Sequence, residues 1–306
     1  MKKKLVLLAI LVLASLLFTL SISGCALTSS KATIPAEYIN NYIQPDASQP
    51  QFEMAGSLPD MPEKVSAYRI KYPTVNKEYA IQQAMKFGVE GETLEGDDLF
   101  TVIDTKNGNT VEVFKTGAIW YRLNSNAYTE AFLNEQAELP TLEESGKIAV
   151  DYLEEKRLLP LEVKQFMNAT KAEKGSFIRV TFSYRIGDYQ CTGPGYGYGY
   201  AVFIGDKGII IGVDIYHPEI ESYTDIKIIT PEKALEALQN GKGRWSTSGE
   251  SKAVLSDTSI RYYFSPWPER QEYVLPVYVL EGVGIKADGT VSKQVIAIAP
   301  AVLTSN

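Results

Sequence analysis

Cysteine and histidine are almost absent from this chain. Its 306 residues include two cysteines, Cys25 and Cys191, and one histidine, His217. At most one intrachain disulfide is available, so stability has to come from buried apolar surface, which the 45% hydrophobic content can supply. One histidine excludes the usual His-rich zinc site, and neither H-E-x-x-H nor C-x-x-C occurs. No D-x-D-x-D-G calcium loop and no Walker-type phosphate loop is present. No metal or cofactor is therefore expected. Positive charge is also scarce. Lysine and arginine number 30 against 37 acids, for a net charge of −7, and no basic block follows the first four residues. That argues against nucleic acid as a partner and against electrostatic attachment to anionic lipid.

What the chain does have is a distinctive beginning. Lys2, Lys3 and Lys4 precede an apolar run from Leu5 to Leu20, interrupted only mildly by Ser15 and Thr19. As a helix this run spans about 24 Å, short of a hydrocarbon core of about 30 Å. Charge, short apolar core and a small-residue exit describe an export signal. An uncleaved anchor and a plain secretory signal are the alternatives. The exit reads Ile22-Ser23-Gly24-Cys25, which resembles the lipobox of bacterial lipoproteins. The resemblance implies that residues 1–24 are a signal peptide and that Cys25 becomes the lipidated first residue. Two acyl chains on its sulfur would suffice for stable anchoring. The protein is then expected on the extracytoplasmic face of a cell membrane. Cys25 would be unavailable for a disulfide, leaving Cys191 as a lone thiol, expected to be small and buried.

Residues 25–60 are rich in Ser, Thr, Pro, Gln and Asp and read as a flexible tether, with a short helix fitting Ala36–Ile43. After them one theme recurs, a capped amphipathic helix followed by strands around tight turns. Helices are expected to start near Asn76, at the capping box Thr141-x-x-Glu144, and at Thr230-Pro231. Strands are expected at 99–104 and 110–114 across the Asn107-Gly108 turn, and at 118–123. Further strands fit 164–171, 177–186, 198–204, 209–215, 258–264, 273–280 and 291–299. The blocks are 61–135, 136–228 and 229–306. Together they predict an α+β fold of repeated helix plus antiparallel β-meander modules.

The T-x-E-x-A-type helix leading into a meander resembles PepSY-like extracytoplasmic modules. The last block, from Thr230-Pro231 through Tyr262-Tyr263-Phe264 to Pro276-Val277-Tyr278, is similar to the C-terminal part of YycH/YycI-type regulators. That resemblance implies a non-enzymatic protein that binds a protein or peptide partner, such as a membrane sensor kinase. A lipid anchor, in place of the transmembrane helix usual in that family, leaves partner contacts to the outer domain.

Four features are candidates for chemistry or binding. Tyr196, Tyr198 and Tyr200 alternate with glycines, so in an extended strand they share one face. That stripe reads as a stacking platform for a sugar or peptide, or as tyrosines covering a core helix while the glycines admit close packing. Trp267 in Pro266-Trp267-Pro268 reads as an interface anchor or as a core aromatic on a stiff turn. Cys191 and His217 form the sharpest enzymatic pairing, because a thiolate needs a base within hydrogen-bond reach. The plainer reading of His217 is a surface loop residue. Glu219 and Glu221 read as solvated acids.

Overall fold

The computed structural model describes residues 33–43, 49–134, 136–160, 167–172, 175–194, 198–246, 249–267 and 269–302. The export signal and Cys25 lie outside the described residues, as does Tyr196. Apart from Thr33, what is described belongs to one compact unit, Ile34–Asn306. It is a strand-rich mixed α/β fold, with five α-helices among the described residues.

Helix α1 (Ala36–Asn41) is followed by strands β1 (Gln51–Met54) and β2 (Lys64–Lys71). Helix α2 (Lys77–Lys86) then begins where the Asn76 side chain accepts the Tyr79 N–H. It leads into β3 (Glu92–Glu95), β4 (Leu99–Ile103), β5 (Thr110–Phe114) and β6 (Ile119–Arg122). Gly108 at φ +75° turns β4 into β5, a conformation open to glycine and costly for most residues. Helix α3 (Ser125–Leu133) follows, then α4 (Leu142–Glu155), whose start carries the reciprocal Thr141–Glu144 capping box. Next come β7 (Met167–Lys171), β8 (Ile178–Ser183), the short hairpin β9 (Arg185–Ile186) and β10 (Tyr189–Thr192), β11 (Gly199–Ile204) and β12 (Ile210–Tyr216).

Eight of these strands form one antiparallel sheet in the order β3-β4-β5-β6-β12-β11-β8-β7. Trp120 on β6 lies opposite Asp214 on β12, where the two runs of strands join. Helices α2 and α4 supply Ala80, Ala84, Ala149 and Leu153 to an apolar layer with Val102, Val111, Val180, Val202 and Val213. A smaller layer holds Ala201, Phe203 and Ile211, with Tyr128 and Ala131 of α3 packed against it.

The rest of the chain is β13 (Glu219–Lys227), helix α5 (Pro231–Gln239), β14 (Arg244–Trp245), β15 (Lys252–Tyr263), β16 (Tyr273–Ile285) and β17 (Val291–Pro300). These join β1, β2, β9 and β10 in a nine-stranded sheet. Its axis is the β15–β16 pair. β1 and β10 both run parallel to β15, at opposite ends of it, and β16 pairs first with β2 and then with β17. The core between the sheets is aromatic. Phe114, Tyr198, Tyr216, Tyr262, Phe264 and Tyr278 share one cluster.

Several expectations change here. The tether over 25–60 does not hold for 34–43 and 49–60. Tyr42, Ile43 and Phe52 are buried, and β1 pairs with Lys252–Leu255. The reason is visible in Tyr38/Tyr42 and Ile39/Ile43, spaced four apart on one helical face. The blocks 61–135, 136–228 and 229–306 are not self-contained, because β2 of the first pairs with β13 of the second and β16 of the third. The strand expected over 177–186 splits at Tyr184, and each part enters a different sheet.

Candidate functional site

The tyrosine stripe is not a surface. Tyr198 and Tyr200 are 3% and 4% exposed. Tyr198 stacks on Phe264 at 4.3 Å between ring centroids and on His217 at 5.0 Å, and its hydroxyl donates to the Pro218 carbonyl at 2.7 Å. Tyr200 belongs instead to the layer beneath α2 and α4. Gly199 between them sits at φ +145°, and a Cβ there would run into the Phe182 carbonyl oxygen. Close packing is thus what that glycine provides, and these two residues are not a stacking platform.

Trp267 is half-buried. It meets Trp120 edge-on at 3.8 Å and Phe114 at 5.2 Å, so it pins the loop after β15 to the eight-stranded sheet. His217 is not a surface residue either. It is half-buried, with the rings of Tyr184, Tyr198 and Tyr200 within 6 Å. Cys191 lies on β10 opposite Tyr262. Burial pushes its thiol up, which keeps it protonated and removes the thiolate that a Cys191/His217 nucleophile requires. Glu219 and Glu221 start β13, both within ion-pair distance of Lys71 on β2.

A second polar site escaped the sequence reading. Arg122 pairs with Asp214 at 2.5 Å, both largely buried, and its guanidinium lies within about 5.5 Å of the Trp120, Tyr128 and Phe203 rings. Burial outweighs the attraction of Arg122, and the Asp214 carboxyl is pushed up to about 6.

A cleft lies elsewhere. About 520 Å³ in volume, it opens between α1 and the loop joining β15 to β16. One wall is Tyr38 of α1 and Tyr42, the residue that follows the helix, four apart on one face. The Tyr38 hydroxyl donates to the Tyr273 carbonyl at 2.7 Å, and that of Tyr42 to the Pro276 carbonyl at 3.1 Å. Burial pushes both phenols up, so they remain protonated donors. The opposite wall is held by Gln271, which is 2% exposed. Its amide donates to the carbonyls of Tyr263 and Tyr273 and accepts the Ser265 N–H. Its backbone N–H donates to the Tyr72 hydroxyl, which donates back to its carbonyl. Such a fully bonded amide ties Tyr263, Ser265 and Tyr273 together.

Arg244 and Arg270 bring positive charge to this cleft, and Glu269 brings one negative charge. Arg244 has only a long contact, 3.5 Å, to the Tyr263 hydroxyl. Arg270 is exposed and lies over the Tyr72 ring at 5.0 Å. Neither forms an ion pair among the described residues, unlike Arg69 with Glu272, Arg122 with Asp214 or Arg261 with Glu281. Sequence reasoning missed this cleft because its parts come from residues 38–42, 244 and 263–271, with no local motif. The Tyr38/Tyr42 spacing was the one available signal.

No family model matches the chain, and no curated protein matches it. Among solved structures it is similar to an uncharacterized protein from Eubacterium rectale ATCC 33656. Identity is 12% over 80% of this chain and 86% of that one, with a TM-score of 0.47. Nothing about activity follows from that likeness.

Proposed function

We propose that this is a lipid-anchored extracytoplasmic protein that binds a peptide or protein partner and performs no chemistry on it. The reading joins the Ile22-Ser23-Gly24-Cys25 exit, with diacylglycerol on Cys25, to a cleft in the folded part. The observation that carries it is the position of α1, the first described helix, which is also one wall of the cleft. Only eight residues lie between Cys25 and Ile34, a reach of at most about 30 Å. A ligand held against α1 is therefore kept near the bilayer, where a membrane sensor of the kind served by YycH/YycI-type regulators would be in range. The succession of helix and antiparallel strands in α2 with β3–β6, and in α5 with β15–β17, supports reading these parts as PepSY-like modules. Small-ligand binding is the second reading. The cleft favours it, in place of the tyrosine stripe.

Cell fractionation tests the anchor. The wild-type chain should remain in the membrane pellet after an alkaline wash, and a Cys25→Ser chain should move to the soluble fraction with its fold intact. A Cys25→Ser chain that stays in the pellet would refute the lipid anchor.

A further inference from the structure

We propose that the cleft between α1 and the β15–β16 loop takes the carboxylate of a short peptide or similarly sized organic acid, with Arg244 and Arg270 as its counter-charges. This deepens the binding reading by naming the ligand class, and it does not depend on the anchor.

The argument starts from donors that no carboxylate among the described residues engages. A guanidinium carries five N–H donors in a planar fork that matches a carboxylate or phosphate. Among the described residues Arg244 has one long acceptor and Arg270 an aromatic face. In an acidic chain of net charge −7, two arginines lining one cleft without carboxylate partners among the described residues are set apart from Arg69, Arg122 and Arg261. The Tyr72 ring beneath Arg270 attracts the guanidinium without using its donors.

Charge decides between the two anions. With Glu269 in the same lining, the cleft carries about one net positive charge, which balances a monoanionic carboxylate better than a dianionic phosphate. Size decides the rest of the ligand. At about 520 Å³ the cleft lies in the range of small-molecule sites and far exceeds a lone carboxylate. Ser265 on its wall offers a hydroxyl to the amides of a peptide chain, and the phenol rings of Tyr38 and Tyr42 offer it an aromatic wall. The bonds of Gln271 fix the loop in advance, so little ordering cost opposes binding.

The test uses the full-length chain in detergent, so that failed anchoring and failed binding are read separately. A pool of random tetrapeptides with free C-terminal carboxylates is compared with the same pool amidated, by saturation-transfer NMR. The acid pool should bind, and the amidated pool should bind at least about tenfold more weakly. Arg244→Gln should abolish the difference. Arg270→Gln, at an exposed position where folding is not at stake, should weaken acid binding by roughly threefold or more. Equal binding of the two pools, or acid binding unchanged in folded Arg270→Gln, would overturn the proposal. Inorganic phosphate outcompeting the acid pool would overturn the carboxylate assignment in favour of a phosphate ligand.

Discussion

The eight-stranded sheet closes largely between neighbours in sequence, whereas the nine-stranded sheet places Gln51 beside Lys252 and Tyr68 beside Val274. Their interiors differ accordingly. The first buries alanine, valine and isoleucine beneath two helices, with Phe and Tyr among them. The second is stitched by phenols whose hydroxyls reach distant carbonyls. Tyr262 bonds Ser66, Tyr278 bonds Ile229, Tyr38 bonds Tyr273, and Tyr72 bonds Gln271. Local hairpins need only apolar cover, because short loops keep their strands together. Segments far apart in the chain have a larger closure entropy to overcome, and directional bonds at the seams fix their register.

The largest test of this contrast is Leu153→Ala. Leu153 is fully buried beneath the eight-stranded sheet, and truncation should cost about 3–4 kcal/mol in urea unfolding. Hydrogen exchange should rise first in α4, β7 and β8. Equal exposure of β15 and β16 would show that the two sheets open as one, and would dissolve the distinction.

Acidity provides the next test. The folded state holds the Asp214 proton more tightly than the unfolded chain does. Its contribution is therefore full below about pH 3.8 and lost as pH rises through about 6. The stability of wild type relative to Asp214→Asn should thus fall by about 2–3 kcal/mol between pH 4 and pH 7. The phenolic ties of the other sheet do not titrate in that window, since burial pushes them up. A flat difference between wild type and Asp214→Asn would refute the assignment.

The smallest effect is expected from Tyr278→Phe. It removes the bond to the Ile229 carbonyl and leaves that acceptor unmet, at about 1–1.5 kcal/mol in thermal or urea melts. Faster exchange confined to the start of α5 and to β17 would sharpen the seam picture. No change in melting would argue that the phenol is there for its ring alone.

Legibility in the sequence followed the same divide. The helices at Lys77, Leu142 and Pro231 start where their caps predict, because capping is a matter of three or four adjacent residues. The Asn107-Gly108 turn falls where expected for the same reason, and so does the break between the strands expected at 198–204 and 209–215. β1, β2, β3, β10, β13 and β14 went unread. Glu219–Lys227 offers few apolar positions, and a bulge between Ser222 and Thr224 disturbs their alternation. Helix α3 also carried no signal strong enough to be noticed. The cleft was the least legible part. Arg244 and Arg270 acquire meaning only once α1 has been laid beside the β15–β16 loop, a step that no local pattern encodes.

The pairing of β1 and β2 with β15 and β16 also imposes an order in time. A chain emerging from its N-terminus presents these two strands early, yet their partners are made some two hundred residues later. The eight-stranded sheet has all its strands once residue 216 has emerged. Until residues 252–274 follow, Phe52, Val65 and Ile70 have no apolar cover from that side of the molecule. The first strands of the protein are thus dependants of its last, and any truncation near the C-terminus would be felt at the opposite end of the chain.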